Sequence, residues 1–149
     1  MEQDMKDTEM KKRVLFLCTH NSARSQMAEA LLRAQGGNDY QVFSAGTEQT
    51  RVHPLAIQAM KEIGVDISGQ ESKTLNRFLL SQFDYVITVC DQANETCPIF
   101  PGAPERIHWS FEDPSKATGT DEQRLHAFRK IRDDIAGRLR LFQTVAARR

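Results

Sequence analysis

Residues 14–25 read VLFLCTHNSARS, and the pattern changes halfway through them. Val14-Leu15-Phe16-Leu17 is a short apolar run bounded by charge on one side and by Thr19-His20-Asn21-Ser22 on the other, which predicts a strand covered on both faces. From Ser25, apolar residues at Met27, Ala30, Leu31 and Ala34 keep the 3.6-residue period until Gly36-Gly37-Asn38-Asp39 stops it, which predicts a helix. Working outward, residues 41–44 form a second short strand and Ala45-Gly46 a turn. Pro54 suits the first position of a second helix with an apolar stripe at Leu55, Ala56, Ala59, Met60 and Ile63, and Gly64 can take the left-handed position after it. A shorter helix is expected over 75–81, a strong strand over 85–89 and a weaker one over 105–109. Thr120 and Gln123 make a capping box, after which Leu125, Phe128, Ile131, Ile135, Leu139 and Phe142 space out a long terminal helix. Strands alternating with helices imply an α/β fold: a mainly parallel sheet between helix layers, joined by right-handed crossovers.

Composition bounds the rest. A chain of 149 residues, 40% hydrophobic, is the size of one domain with one sizeable core. Residues 1–11 alternate acid, amide and base without an apolar period and read as a disordered N-terminal extension, leaving 12–149 as a single domain. Twenty basic and twenty acidic side chains balance, so no global field favours nucleic acid. The longest apolar run, 14–18, is far below the roughly 20 residues a membrane helix needs, and the acidic start lacks a signal peptide's order, so no membrane association and a cytoplasmic location are expected. Three cysteines do not make the framework of a small secreted protein; in a reducing compartment they serve core, metal or chemistry.

Cys18-Thr19-His20-Asn21-Ser22-Ala23-Arg24-Ser25 lies where the buried strand passes into the helix. There the backbone N–H groups of the loop and first helical turn can cradle an anion. Arg24 adds a planar fork matched to two oxygens of a tetrahedral anion, and Ser25 Oγ is placed to donate to a Cys18 thiolate. VLFLCTHNSARSQMAEALLR resembles the N-terminal signature of the low-molecular-weight phosphotyrosine phosphatase superfamily, especially its thioredoxin-coupled arsenate reductase branch. SAG, HWSFEDP and the terminal helix recur in the expected order, so the resemblance covers nearly all of 12–145. It implies a four-stranded parallel sheet in the order 2-1-3-4, Cys18 as nucleophile and Arg24 as oxyanion binder. The family loop commonly has Gly where this chain has His20, and a second Cys where it has Ala23. A glycine's positive φ at that point would be harder for His20.

Cys90 and Cys97 follow the strong strand. A closed zinc site wants four ligands, commonly in closely spaced pairs, so a metal is disfavoured; a buried strand-end Cys90 and a redox pair remain. Were 90–97 helical, the two Cα atoms would stand about 10 Å apart, beyond the roughly 7 Å limit for a disulfide. A bonded pair therefore needs an irregular segment, and the polar DQANET between the cysteines suits a mobile loop. The resembling branch carries such a pair here.

Phe111-Glu112-Asp113-Pro114 offers a general acid on a proline-stiffened turn. By itself the pattern leaves Glu112 and Asp113 open; the resemblance selects Asp113. Asn21, Glu29 and Ser44 match residues that organise the loop and in some relatives help bind potassium. Those relatives carry Asp where this chain has Lys73, whose ammonium would replace the cation, unless it is simply solvated. His53, His108 and His126 lack partners at ligand spacing and are expected to be structural or exposed. Trp109 and Phe111 read as core, and no glycine motif for nucleotides is present. No cofactor is expected. The resemblance thus implies a monomeric arsenate reductase with phosphate or sulfate as analogues of its substrate, a Cys18, Cys90, Cys97 relay and thioredoxin as reductant. A phosphatase using only Cys18, Arg24 and Asp113, and a non-catalytic arsenite or oxyanion sensor, are the alternatives.

Overall fold

The structure, a computed structural model, describes residues 11–101 and 105–147, so most of the expected disordered extension lies outside the described residues. The apolar run becomes β1 (Lys12–Cys18), and the periodic stretch after it α1 (Arg24–Gly36). They are followed by β2 (Tyr40–Gly46), α2 (Pro54–Lys61), β3 (Tyr85–Thr88), β4 (Glu105–His108) and α3 (Asp121–Ala146). All strands run parallel in the order β2-β1-β3-β4. The central pair is thus β1 and β3, and their carboxyl ends carry Cys18 and, two residues past β3, Cys90. Leu17 pairs with Thr88, and the Val89 N–H still reaches the Leu17 carbonyl at 2.9 Å, so the two chains leave the sheet side by side.

Successive side chains of β1 alternate between two cores, as strand geometry requires. Val14 and Phe16 pack with Met27, Leu31, Met60, Phe128 and Leu139 under the three α-helices. Leu15 and Leu17 pack on the opposite face with Phe78, Phe83 and Phe100, under a 3-10 helix (Leu75–Phe78) and the loops beside it. Helical structure therefore covers both faces, thickly on one and thinly on the other. All six expected apolar positions of α3 are buried, and its capping box forms with both reciprocal hydrogen bonds. Among the described residues, no helix is long and apolar enough to cross a membrane.

Four details differ from the expectations. The helix expected over 75–81 is a single 3-10 turn, because Thr74 is still tied to Gly46 by a bridge and Leu79 and Leu80 point to solvent. The stripe on α2 stops before Ile63, which is exposed, since the helix ends at Lys61; Gly64 does take a left-handed φ of 79° in the turn beyond. Helix α1 begins one residue early, at Arg24. Ala45 and Gly46 are not a turn but the last two residues of β2, where Gly46 pairs with Cys18 and donates its N–H to the Lys73 carbonyl at 2.9 Å.

Candidate active site

The loop from Cys18 to Arg24 is held from outside by its own carbonyls. The Thr19 carbonyl accepts from Thr47 N (2.9 Å) and Glu48 N (3.1 Å), that of His20 from Thr50 Oγ1 (3.0 Å), and that of Ser22 from His53 N (2.9 Å). A planar trans peptide directs its C=O and N–H oppositely, so these bonds leave the loop's amides available to an anion. The left-handed residue of the loop is Asn21, with φ of 49°; His20 has no positive φ, so a glycine is not required there. Asn21 is fully buried, and every polar atom of its side chain is engaged. Its Oδ1 accepts from Gln26 Nε2 (2.9 Å) and Lys73 N (2.8 Å), and its Nδ2 donates to Ser25 Oγ (2.8 Å). With its oxygen accepting from Asn21, the Ser25 hydroxyl is free to donate to Cys18 Sγ, 2.8 Å away. A chain of hydrogen bonds thereby runs from the sheet edge to the buried, free thiol of Cys18.

Cys18, Arg24, Asp113, His53 and Ser115 line one open pocket of about 210 Å³. Arg24 is almost completely buried, and Asp113 Oδ2 stands 3.8 Å from its Nη2. Asp113 Oδ1 accepts from Ser115 N (3.0 Å) and Ser115 Oγ (2.7 Å), which fixes the carboxylate at the head of the turn. Glu112, the other candidate acid, is exposed and does not line this pocket.

A residue that the sequence reading passed over takes both terminal nitrogens of Arg24. Glu95, from the loop between Cys90 and Cys97, accepts from Arg24 through Nη1 to Oε2 (2.7 Å) and Nη2 to Oε1 (2.9 Å). Thr19 Oγ1 donates to Oε1 at 2.8 Å and the Asp91 N–H to Oε2 at 3.1 Å. Burial alone would raise the Glu95 pKa, but the hydrogen bonds of Arg24 and Thr19 and the guanidinium charge hold it at about 2. For Arg24, burial works against the charge, yet the Glu95 hydrogen bonds, then the Cys18 and Asp113 charges, bring its pKa above the ordinary value.

Cys90 and Cys97 are joined by a disulfide with Cα atoms 5.9 Å apart, and the segment between them is a series of turns rather than a helix. Cys90 is fully buried, while Cys97 is partly exposed. His108 is less isolated than its spacing implies. Its Nδ1 meets Thr88 Oγ1 at 2.7 Å, and its ligand atom lies within 4.8 Å of both sulfurs, the one such triad among the described residues. With both sulfurs in a disulfide, that triad offers no thiolate to a metal.

Glu29 and Lys73 buttress the loop from behind. Ser44 Oγ donates to Glu29 Oε1 at 2.8 Å, Lys73 Nζ stands 3.8 Å from the same oxygen, and Nζ donates to the Glu71 carbonyl at 2.8 Å. Lys73 is therefore not a solvated surface lysine: it is 8% exposed, and burial lowers its pKa while Glu29 pulls it back up. Gly46 was also missed. A Cβ there would sit 2.7 Å from the Thr19 carbonyl and 2.8 Å from the Asn21 nitrogen, so only glycine lets β2 approach the loop this closely. His53 is structural as expected: its Nδ1 accepts from Leu55 N at 3.1 Å, and its ring packs 4.6 Å from that of Phe128.

A parallel sheet in this order, with a cysteine loop and arginine at its carboxyl edge, defines a class. The chain belongs to the low molecular weight phosphotyrosine protein phosphatase family, whose profile matches residues 13–149. Within it, the chain is similar to an arsenate reductase of Halalkalibacterium halodurans, 49% identical over 132 residues that cover 89% of this chain and 95% of that one. Among solved structures, it resembles an arsenate reductase in the phosphate binding state (TM-score 0.72, 35% identity, 88% of this chain and 95% of that one). It is also similar to a thioredoxin-dependent arsenate reductase of Corynebacterium glutamicum (TM-score 0.71, 30% identity, 98% of this chain and 67% of that one).

Proposed function

We propose that this chain is a cytoplasmic, monomeric arsenate reductase that passes electrons through Cys18, Cys90 and Cys97 and takes them from thioredoxin. One observation carries the reading: a buried thiol beside an arginine cradle and a Cys90–Cys97 disulfide leave neighbouring strands at the same edge of the sheet. A phosphatase has use for the first and none for the second.

Arsenate binds across the loop 19–25 with two oxygens on Arg24. The Cys18 thiolate, steadied by Ser25, attacks arsenic, and Asp113 protonates the departing oxygen, which leaves as water. The Cys90 thiolate then attacks Cys18 Sγ. The sulfur–arsenic bond breaks, its electron pair stays on arsenic, and arsenite departs, leaving a Cys18–Cys90 disulfide. Cys97 attacks Cys90 and releases the Cys18 thiolate. The resulting Cys90–Cys97 disulfide is reduced by the two thiols of thioredoxin, to which the partly exposed Cys97 and the exposed Ile99 beside it are offered.

Peptide mapping of non-reduced protein tests the order of events. Cys97→Ser converts about one arsenate per chain and stops as a Cys18–Cys90 disulfide, whereas Cys90→Ser stops earlier, at the arsenic adduct. Three free thiols in the parent after excess arsenate would leave the phosphatase as the better account. Stoichiometric arsenite binding without oxidation would favour a sensor.

A further inference from the structure

The outer edge of Arg24, whose Nη1 also donates to the Phe111 carbonyl at 3.0 Å, is already engaged. Both oxygens of Glu95 sit on it at 2.7 and 2.9 Å, with Thr19 and the Asp91 amide completing the shell, in the arrangement expected for two oxygens of a tetrahedral anion. The side chain that does this is inserted from the loop that the disulfide closes. Cys90 and Cys97 draw the loop's ends to 5.9 Å, and Asp91 braces the turn between them: its carbonyl accepts from Glu95 N (2.9 Å) and its side chain from Ala93 N (3.2 Å) and Asn94 Nδ2 (2.7 Å).

We propose that Glu95 is an internal ligand of the oxyanion cradle, put in place by the Cys90–Cys97 disulfide, so that the oxidised chain refuses arsenate and phosphate while the reduced chain accepts them. The inference rests on the cradle assigned above. The Nη1–Nη2 edge of the guanidinium cannot serve a carboxylate and an oxyanion at once. With the Glu95 carboxylate paired to it and Asp113 3.8 Å away as well, the guanidinium has less attraction left for an incoming dianion. Reduction removes the bond that holds the loop ends together, and the carboxylate loses its tether. The device keeps abundant phosphate from trapping enzyme that awaits its reductant, and it keeps new arsenate from adding to Cys18 before Cys90 is a thiol again. Coupling between two equilibria is reciprocal. Phosphate bound at Arg24 must therefore make the Cys90–Cys97 disulfide easier to reduce by the same factor.

The test is calorimetric binding of inorganic phosphate to parent, Glu95→Gln and Glu95→Ala, each reduced and oxidised. Oxidation uses glutathione disulfide, which takes two electrons from Cys90 and Cys97 and leaves as two thiols; mass spectrometry verifies that Cys18 remains free. Parent protein should bind phosphate at least about 10-fold more tightly when reduced, within the usual range of coupling between sites. In Glu95→Ala the ratio of the two affinities should fall to about 1, and in Glu95→Gln, which keeps size and loses charge, to an intermediate value. Equal affinity of the two parent forms overturns the proposal, as does an undiminished ratio in Glu95→Ala. If neither parent form binds phosphate, the cradle itself is misassigned and this inference falls with it.

Discussion

Asp113 and Glu112 are neighbours in the chain, yet only one of them lines the pocket that holds Cys18. Asp113 is held by two bonds from Ser115 and stands 3.8 Å from Arg24, while Glu112 lies in solvent. Asp113→Asn keeps the size of the side chain and loses only its proton, so the first chemical step should slow by about 100-fold or more without loss of fold. Rapid mixing of reduced enzyme with arsenate measures that step. A normal rate in Asp113→Asn beside a defect in Glu112→Gln would reverse the assignment. At this scale the sequence was informative where chemistry and punctuation coincide: a cysteine and an arginine stand where a strand passes into a helix, while the choice of Asp113 over Glu112 came from the family resemblance and not from the turn. Glu95 gave no such signal. It is one acid in a polar, aperiodic loop, and its meaning comes from the fold-back that brings it to Arg24, a contact across 71 positions. The loop's strained residue was equally hidden, because asparagine tolerates the left-handed region and so carries no mark of being there.

The elements were legible to the extent that they obey one period. Helices α1 and α3 follow the apolar stripe, and the four strands stand where apolar runs meet turn residues. The errors cluster where tertiary contacts overrule local pattern. Residues 75–81 carry enough apolar side chains for a helix, but the chain must rise from the bridge at Thr74 to β3 and uses a single 3-10 turn. Ala45-Gly46 has the composition of a turn and is instead the end of a strand pressed against the anion loop. Gly46→Ala tests that pressure. Its new methyl group would meet the Thr19 carbonyl and the Asn21 nitrogen, both backbone atoms that cannot swing away. Arsenate turnover should fall by about 100-fold, as expected for a displacement near 1 Å at the reacting centre. Steady-state kinetics with circular dichroism checks this, and a fully active Gly46→Ala would show the contact to be dispensable.

For the molecule as a whole, stability should depend on pH through the junction of α2, α3 and the anion loop, where His53 sits. Burial lowers its pKa below the usual value, the charge of Arg124 lowers it further, and Asp113 opposes both. The folded chain thus favours neutral imidazole, whose Nδ1 accepts the Leu55 N–H. Between the lowered folded pKa and the ordinary value of about 6.5, the unfolded chain binds more protons, so this contribution is full above about 6.5 and is lost as the pH falls. Thermal melts between pH 7.5 and 5 should fall more steeply for the parent than for His53→Gln; equal slopes would remove His53 from that role. The sheet order follows from the same economy of reach. Placing β1 and β3 at the centre brings Cys18 and Cys90 to one edge, while the charge of the chain as a whole is balanced. Lys73 is a buried cation within the fold, and it stands behind the loop rather than in it. A counterion that arrives by diffusion leaves when its concentration drops. One attached to the backbone is exempt from mass action, so Glu29 of this chain keeps a cation beside it whatever the salt composition around it.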